Sequence, residues 1–163
     1  MLVRPAHPRD VPAIREMVDY YASRGILLAK ATVTLYEDIQ EFIVAVDGDE
    51  VIGCGALHVM WEDLAEVRTV AVAPDRARHG IGSALLTALM ERAREVGVQR
   101  VFCLTFMVRF FQAHGFVEIG ETPVDHDVYQ QMLQSYDEGV AEFLGLERVK
   151  PNTLGNHRML ATL

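Results

Sequence analysis

An apolar strand that passes through an arginine-rich turn straight into an amphipathic helix limits this chain more than any other feature. The stretch from Thr69 to Gly82 reads Thr-Val-Ala-Val-Ala-Pro-Asp-Arg-Ala-Arg-His-Gly-Ile-Gly. Residues 66–72 carry a strand pattern, and Pro74, which cannot donate to a ladder, stops it. Residues 83–96 then put Leu85, Leu86, Leu89 and Ala93 on one helical stripe, with Glu91, Arg92, Arg94 and Glu95 on the other side and Gly97 at the end. A strand and a one-faced helix joined this closely must bury their apolar surfaces, so the pattern predicts a sheet with helices packed on it.

The turn also predicts a ligand. Gly80 and Gly82 remove side chains where a molecule would approach the backbone, and the free amides of a new helix, starting near Ile81 and Ser83, hold anions. Arg76, Arg78 and His79 add donors nearby. A close strand-to-helix contact would ask for the same glycines, so spacing alone leaves both readings open. No Lys-Ser/Thr follows Gly82 as in phosphate-loop ATPases, and the three-glycine dinucleotide fingerprint with its ribose-binding acid is incomplete. An amide cradle without those parts suits the pyrophosphate of coenzyme A.

Elsewhere the pattern predicts a helix from Asp10 through Val11, Ile14, Val18 and Tyr21 with Gly25 as its stop, and a small helix from Thr34 carrying Leu35 and Ile39. Strands at 42–46 and 51–60 flank the turn residues Asp47-Gly48-Asp49, and a second hairpin connection falls at 61–65. A buried strand is expected at 101–105, then a short helix ending at His114-Gly115 and a strand from Phe116. One helix is expected from Asp125 through Tyr129, Met132, Leu133, Tyr136, Val140 and Phe143, then a loop at 150–156 and a strand at 158–163. The order implies a mixed α/β (α+β) sheet in one domain, residues 1–163.

Fifteen basic against twenty-three acidic residues give a net charge of -8, which repels polyphosphate backbones and argues against nucleic acid as a partner. Cys54 and Cys103 sit in apolar runs without metal or redox spacing, as expected of packed thiols in a reducing compartment. No apolar run approaches the roughly 20 residues of a membrane span, and no signal-peptide pattern opens the chain, so a cytoplasmic protein without membrane association is expected. No Cys, His, Asp and Glu spacing predicts a metal.

The strand, the turn and Gly80-x-Gly82, with Phe110-Phe111-Gln112-Ala113-His114-Gly115-Phe116, resemble the GCN5-related N-acetyltransferases. Residues 53–58, 66–72 and 150–160 further resemble the short, stand-alone N-acetylglutamate synthases of actinobacterial type. The resemblance implies a mixed sheet splayed near its middle, with acetyl-coenzyme A (acetyl-CoA) wedged in the opening as cosubstrate and acetyl passing directly to an amine. It implies that Val70, Ala71 and Val72 border the pantetheine arm, that Arg78, His79, Gly80, Ile81, Gly82 and Ser83 hold the pyrophosphate, with Arg76 or Arg78 adding a side chain, and that residues 101–105 form the other lip. Two positions depart from the family pattern: Ala77 stands where Gln or Arg is common, and Phe111 stands where many relatives have a tyrosine able to protonate the leaving thiolate.

The acceptor amine must lose a proton, and Glu66, at the start of the strand beside the expected thioester, is the first choice of base. Arg68 shares its face of the strand. Lys30, Arg68, Lys150 and Arg158 are the expected clamp for substrate carboxylates, since basic residues in these regions bind the amino acid in the synthases the chain resembles. His58, His114 and Tyr136 suit packing as well as a site. The expected activity is acetylation of the α-amine of L-glutamate in arginine biosynthesis, with L-glutamine the closest rival; another small or protein amine, or a sensor without turnover, are the alternatives. A homodimer is expected from the family alone.

Overall fold

The computed structural model describes residues 1–145 and 156–163. In chain order it contains β1 (Leu2–Pro5), α1 (Val11–Ala22), α2 (Thr32–Glu37), β2 (Phe42–Asp47), β3 (Glu50–Trp61), β4 (Leu64–Val72), α3 (Ile81–Val96), β5 (Arg100–Thr105), α4 (Val108–Gln112), β6 (Val117–Glu118), α5 (His126–Met132), α6 (Glu138–Leu144) and β7 (His157–Thr162). Short 3-10 turns at Pro8–Asp10, Ile39–Glu41 and Pro74–Arg76 join some of them. No helix among the described residues is long and apolar enough to cross a membrane.

The strands form a seven-stranded mixed sheet in the order β1-β2-β3-β4-β5-β7-β6. Every neighbouring pair is antiparallel except β4 and β5, which run parallel. That parallel pair closes over three positions only, Leu64 with Arg100, Ala65 with Val101 and Glu66 with Phe102. Beyond Glu66 the two strands part. The expected splay therefore lies between the expected strands, and its apex is at Glu66.

Helix α3 covers one face through Leu85, Leu86, Leu89 and Ala93, all fully buried, as its stripe predicts. The closest helix-to-sheet approaches fall at Gly53 and Gly55 on β3, where an added Cβ would lie 2.9 Å from Leu85 Cδ1 and Leu89 Cδ1. Helix α1 covers the other face with Val11, Ile14 and Val18, against Phe42, Val44, Cys54 and Ala56. A third cluster packs α5 and α6 on β5, where Phe102 and Phe143 meet edge to face at 4.9 Å. Cys54 and Cys103 are free and buried.

Three local expectations are corrected. The helix expected from Asp125 to Phe143 is two helices. Asp125 caps α5 as expected, accepting from the Val128 amide at 2.9 Å. The chain then breaks, because Asp137 is extended, receives the Val140 amide at 3.1 Å as the cap of α6, and donates its own amide to Ser135 Oγ. Such local side-chain bonds compete with helix continuation. Asp10 precedes α1 but does not cap it; its carboxylate turns back to the His7 amide at 2.7 Å and to both terminal nitrogens of Arg4. Helix α2 starts at Thr32, two residues before Thr34.

Candidate active site

Where β4 leaves β5, its backbone is distorted. Thr69 has φ +58°, an outlier for a β-branched residue, and between Cys54–Ala71 and Ala56–Arg68 the register gives β4 one residue more than β3. A bulge thus sits beside the opening, where strain of this kind gathers at functional sites.

Below it lies a cavity of about 380 Å³. Its walls are the segment 26–31 with Thr34, β4 from Glu66 to Thr69, Leu104 of β5, residues 136–139 and Glu142 of α6, and Asn156. Glu66 and Arg68, two apart on β4, face it together as strand alternation requires. Glu66 is 3% exposed, its Oε2 is 3.6 Å from Arg68 Nη1, and that oxygen has no hydrogen-bond partner among the described residues. Burial pushes its carboxyl above the usual range, with Arg68 opposing. Gly139 is what lets α6 come this close: a Cβ there would collide with Glu66 Oε2 and lie 3.0 Å from both Arg68 Nη1 and Asp137 Oδ1.

Arg68 is already engaged. Its Nη1 donates to both Asp137 oxygens at 2.8 and 2.9 Å, and Nη2 donates to Glu41 Oε2 at 3.3 Å. His58 closes the ring, with Nδ1 2.7 Å from Glu41 Oε1 and Nε2 3.9 Å from Asp137 Oδ2. Although burial opposes it, the Glu41 carboxylate holds His58 above its ordinary pKa, and Arg68 likewise holds Asp137 below the usual carboxylate range. Burial, helped by Arg68, lowers Lys30. Glu142, 7% exposed, also has an oxygen without a hydrogen-bond partner among the described residues; burial, then the neighbouring Glu66, pushes its carboxyl up to about 8.

Of the expected clamp, Lys30 and Arg68 line this cavity. Arg158 does not; it donates to the Phe143 carbonyl at the end of α6 and to Thr122 Oγ1 at 3.3 Å, over the Phe102 ring. Lys150 lies outside the described residues. Glu41, Asp137, Gly139 and Glu142 escaped the sequence reading. Ser135-x-Asp137-x-Gly139 was the available signal for a helix break; Glu41 and Glu142 meet β4 from afar and carry no local mark.

The turn after β4 leaves backbone amides free at the start of α3, where the sequence predicts an anion site. Arg78 and Gly80 have positive φ, +66° and +76°, and Arg78, His79 and Gly80 are exposed. The first backbone bond inside α3 is Ala84 to Gly80, so the amides of Ile81, Gly82 and Ser83 have no intrahelical acceptor. An added Cβ on Gly82 would sit 3.6 Å from Phe110 Cζ, an ordinary contact, so packing alone does not demand that glycine. Val70 and Val72 pack partly buried against the α3 cluster, while Ala71 is buried on the α1 side. Arg76 is drawn instead to Glu50, at 2.8 Å, and Asp47 on the hairpin turn, and His79 Nδ1 lies 3.2 Å from the Arg76 carbonyl. Phe111 is buried between Phe110 and Phe116. No group of three or more potential metal ligands occurs among the described residues.

A mixed sheet splayed beside a buried carboxylate, with free amides at a helix start, is the architecture the resemblance implies. The chain belongs to the Acetyltransferase (GNAT) family, whose model matches residues 11–116. It is similar to the amino-acid acetyltransferase of Mycobacterium tuberculosis, 56% identical over 165 residues that cover 99% of this chain and 94% of that protein. The crystal structure of Rv2747 from M. tuberculosis in complex with CoA and NLQ superposes with a TM-score of 0.96 at 56% identity, covering 100% and 99% of the two chains. N-acetylglutamate synthase from Neisseria gonorrhoeae shares the fold at 24% identity, with a TM-score of 0.81 over 99% of this chain and 35% of that one.

Proposed function

We propose that this enzyme transfers the acetyl group of acetyl-CoA to the α-amine of L-glutamate or L-glutamine, the opening step of acetylated arginine biosynthesis. The observation that carries the reading is one cavity at the sheet's splay holding a buried carboxylate, Glu66, with one oxygen that has no hydrogen-bond partner among the described residues, together with Lys30 and Arg68. The amides of Ile81, Gly82 and Ser83 receive the cofactor's pyrophosphate. Glu66 takes a proton from the acceptor nitrogen as that nitrogen attacks the thioester carbonyl, and the thiolate departs without an acyl-enzyme. The 56% identity with the M. tuberculosis amino-acid acetyltransferase supports the substrate class.

One observation favours L-glutamine of the two acceptors. Among the described residues, four acidic side chains, Glu66, Asp137, Glu138 and Glu142, line the cavity against two basic ones, Lys30 and Arg68, and Arg68 already serves Asp137 and Glu41. A second substrate carboxylate would find little spare cation among the described residues, whereas a distal amide carries no charge to compensate. Free-thiol release measured with L-glutamate, L-glutamine and a lysine peptide tests both points. Turnover with the amino acids, higher kcat/KM for L-glutamine and none with the peptide is expected; preference for the peptide would refute the function. Buried thiols suit the cytoplasm, and the homodimer carried over from the family is open to sedimentation equilibrium.

A further inference from the structure

We propose that Glu142 is a further catalytic residue: with Glu66 it receives the acceptor's ammonium and takes the first of the two protons that nitrogen must lose. The proposal rests on the reading of the chain as an α-amine acetyltransferase. Both carboxylates line the same cavity, both are more than nine-tenths buried, and each has one oxygen without a hydrogen-bond partner among the described residues. Two buried carboxylates in one cavity, each with an unused acceptor, fit a small cation between them.

Proton accounting gives each a task. An α-amino acid arrives as an ammonium carrying three protons on nitrogen, and the acetamide product keeps one. Glu142 accepts the first proton, which frees the nitrogen lone pair for attack on the thioester carbonyl. The C–N bond forms, and Glu66 accepts the second proton as the C–S bond breaks and its electron pair leaves on sulfur. One of the two protons ends on the thiolate as free thiol and the other passes to solvent. A lone base would have to be emptied halfway through the reaction.

The charged groups around Glu142 suit such a pair. Glu66 and Arg68 face it from β4, Lys30 from the segment before α2, and Asp137 and Glu138 from the cap and first turn of its own helix. Glu41 and His58 stand behind Arg68, and Arg158 of β7 holds the far end of α6. Arg68 is committed to Asp137, so among the described residues neither of these oxygens is neutralised by a direct ion pair shorter than the 3.6 Å contact of Glu66.

The test is the pH dependence of kcat/KM for L-glutamine between pH 5 and 9, in the parent and in Glu142→Gln. Because both acceptors must be unprotonated, the acid limb of the parent's logarithmic profile approaches a slope of two, and that of Glu142→Gln falls to one. At neutral pH kcat falls about 100-fold in the variant, while KM for acetyl-CoA changes less than twofold. Glutamine keeps the shape and removes a buried charge, so folding is retained. A parent slope of one overturns the proposal without any variant, as does a slow variant whose slope stays at two. A parent that releases no thiol with either amino acid overturns the function and the proposal together; an active parent with an unchanged Glu142→Gln profile overturns only the proposal.

Discussion

Replacing Gly139 by alanine sets two effects of opposite sign against each other. Alanine in a helix is worth up to about 1 kcal/mol over glycine. Here, though, the new Cβ collides with Glu66 Oε2 and lies 3.0 Å from Arg68 Nη1 and Asp137 Oδ1, whereas comfortable contacts need about 3.5 Å. Something must move by half an ångström or more. Helix α6 is pinned by Val140, Phe143 and Leu144 in the third core cluster, and Arg68 by its bonds to Asp137 and Glu41. The Glu66 carboxylate is the remaining part free to yield. Overpacking costs about 1–3 kcal/mol, so after the helix gain the net loss of stability stays at or below about 2 kcal/mol. The rate suffers more: a 1 Å error in a reacting group is worth about 100-fold, so kcat falls on the order of 10- to 100-fold. Urea denaturation and thiol release on the same preparation read both quantities. A kcat within a factor of two of the parent would show that Glu66 does not need its present position.

A Cβ at Gly82 makes only ordinary contacts, but Gly82→Val crowds the α3 amides, so coenzyme A affinity by titration calorimetry falls at least tenfold with the fold retained, as checked by urea denaturation; unchanged affinity removes the cradle assignment. Arg158→Met loses its bonds to the Phe143 carbonyl and Thr122, lowering stability by about 1.5 to 3 kcal/mol with little change in acceptor KM; a selective rise in acceptor KM would return Arg158 to the substrate clamp. Glu142 titrates near 8 in the fold against 4.5 ordinarily, so its share of stability is complete below pH 4.5 and is lost as pH rises to about 8. Glu142→Gln removes that loss at about 1.4 kcal/mol per pH unit, an advantage on the order of 3–5 kcal/mol by pH 9; urea midpoints whose difference does not vary between pH 5 and 9 contradict the buried carboxyl.

Elements whose signals are local were legible. The α3 stripe, the β2–β3 hairpin around Gly48 and the strand ended by Pro74 each follow from periodicity and turn chemistry within about 15 residues. Where two local rules compete, the sequence misled: periodicity from Tyr129 to Phe143 promised one helix, but Ser135 and Asp137 bond the backbone and break it. Glu66, Lys30 and Arg68, which line the candidate cavity, were legible because strand alternation and the family pattern mark them. Glu41, Asp137 and Glu142 were not, because they reach β4 across 27, 69 and more than 70 residues of chain. The glycines divide the same way. Gly53 and Gly55 make the close helix contact, which Gly80 and Gly82, equally suited to it by spacing, do not.

The three-position seam between β4 and β5 has a mechanical consequence. The sheet is two plates, β1 to β4 and β5 to β6, riveted at one end. Beyond Glu66, one edge of β4 has no strand to bond among the described residues, so its outward amides gain protection only from whatever fills the gap. A molecule lodged there works as a splint: at 100 times its dissociation constant it adds about 2.7 kcal/mol to the folded state. Hydrogen exchange from Val67 to Val72 should therefore slow on cofactor binding far more than exchange in β2, which is bonded to strands on both sides.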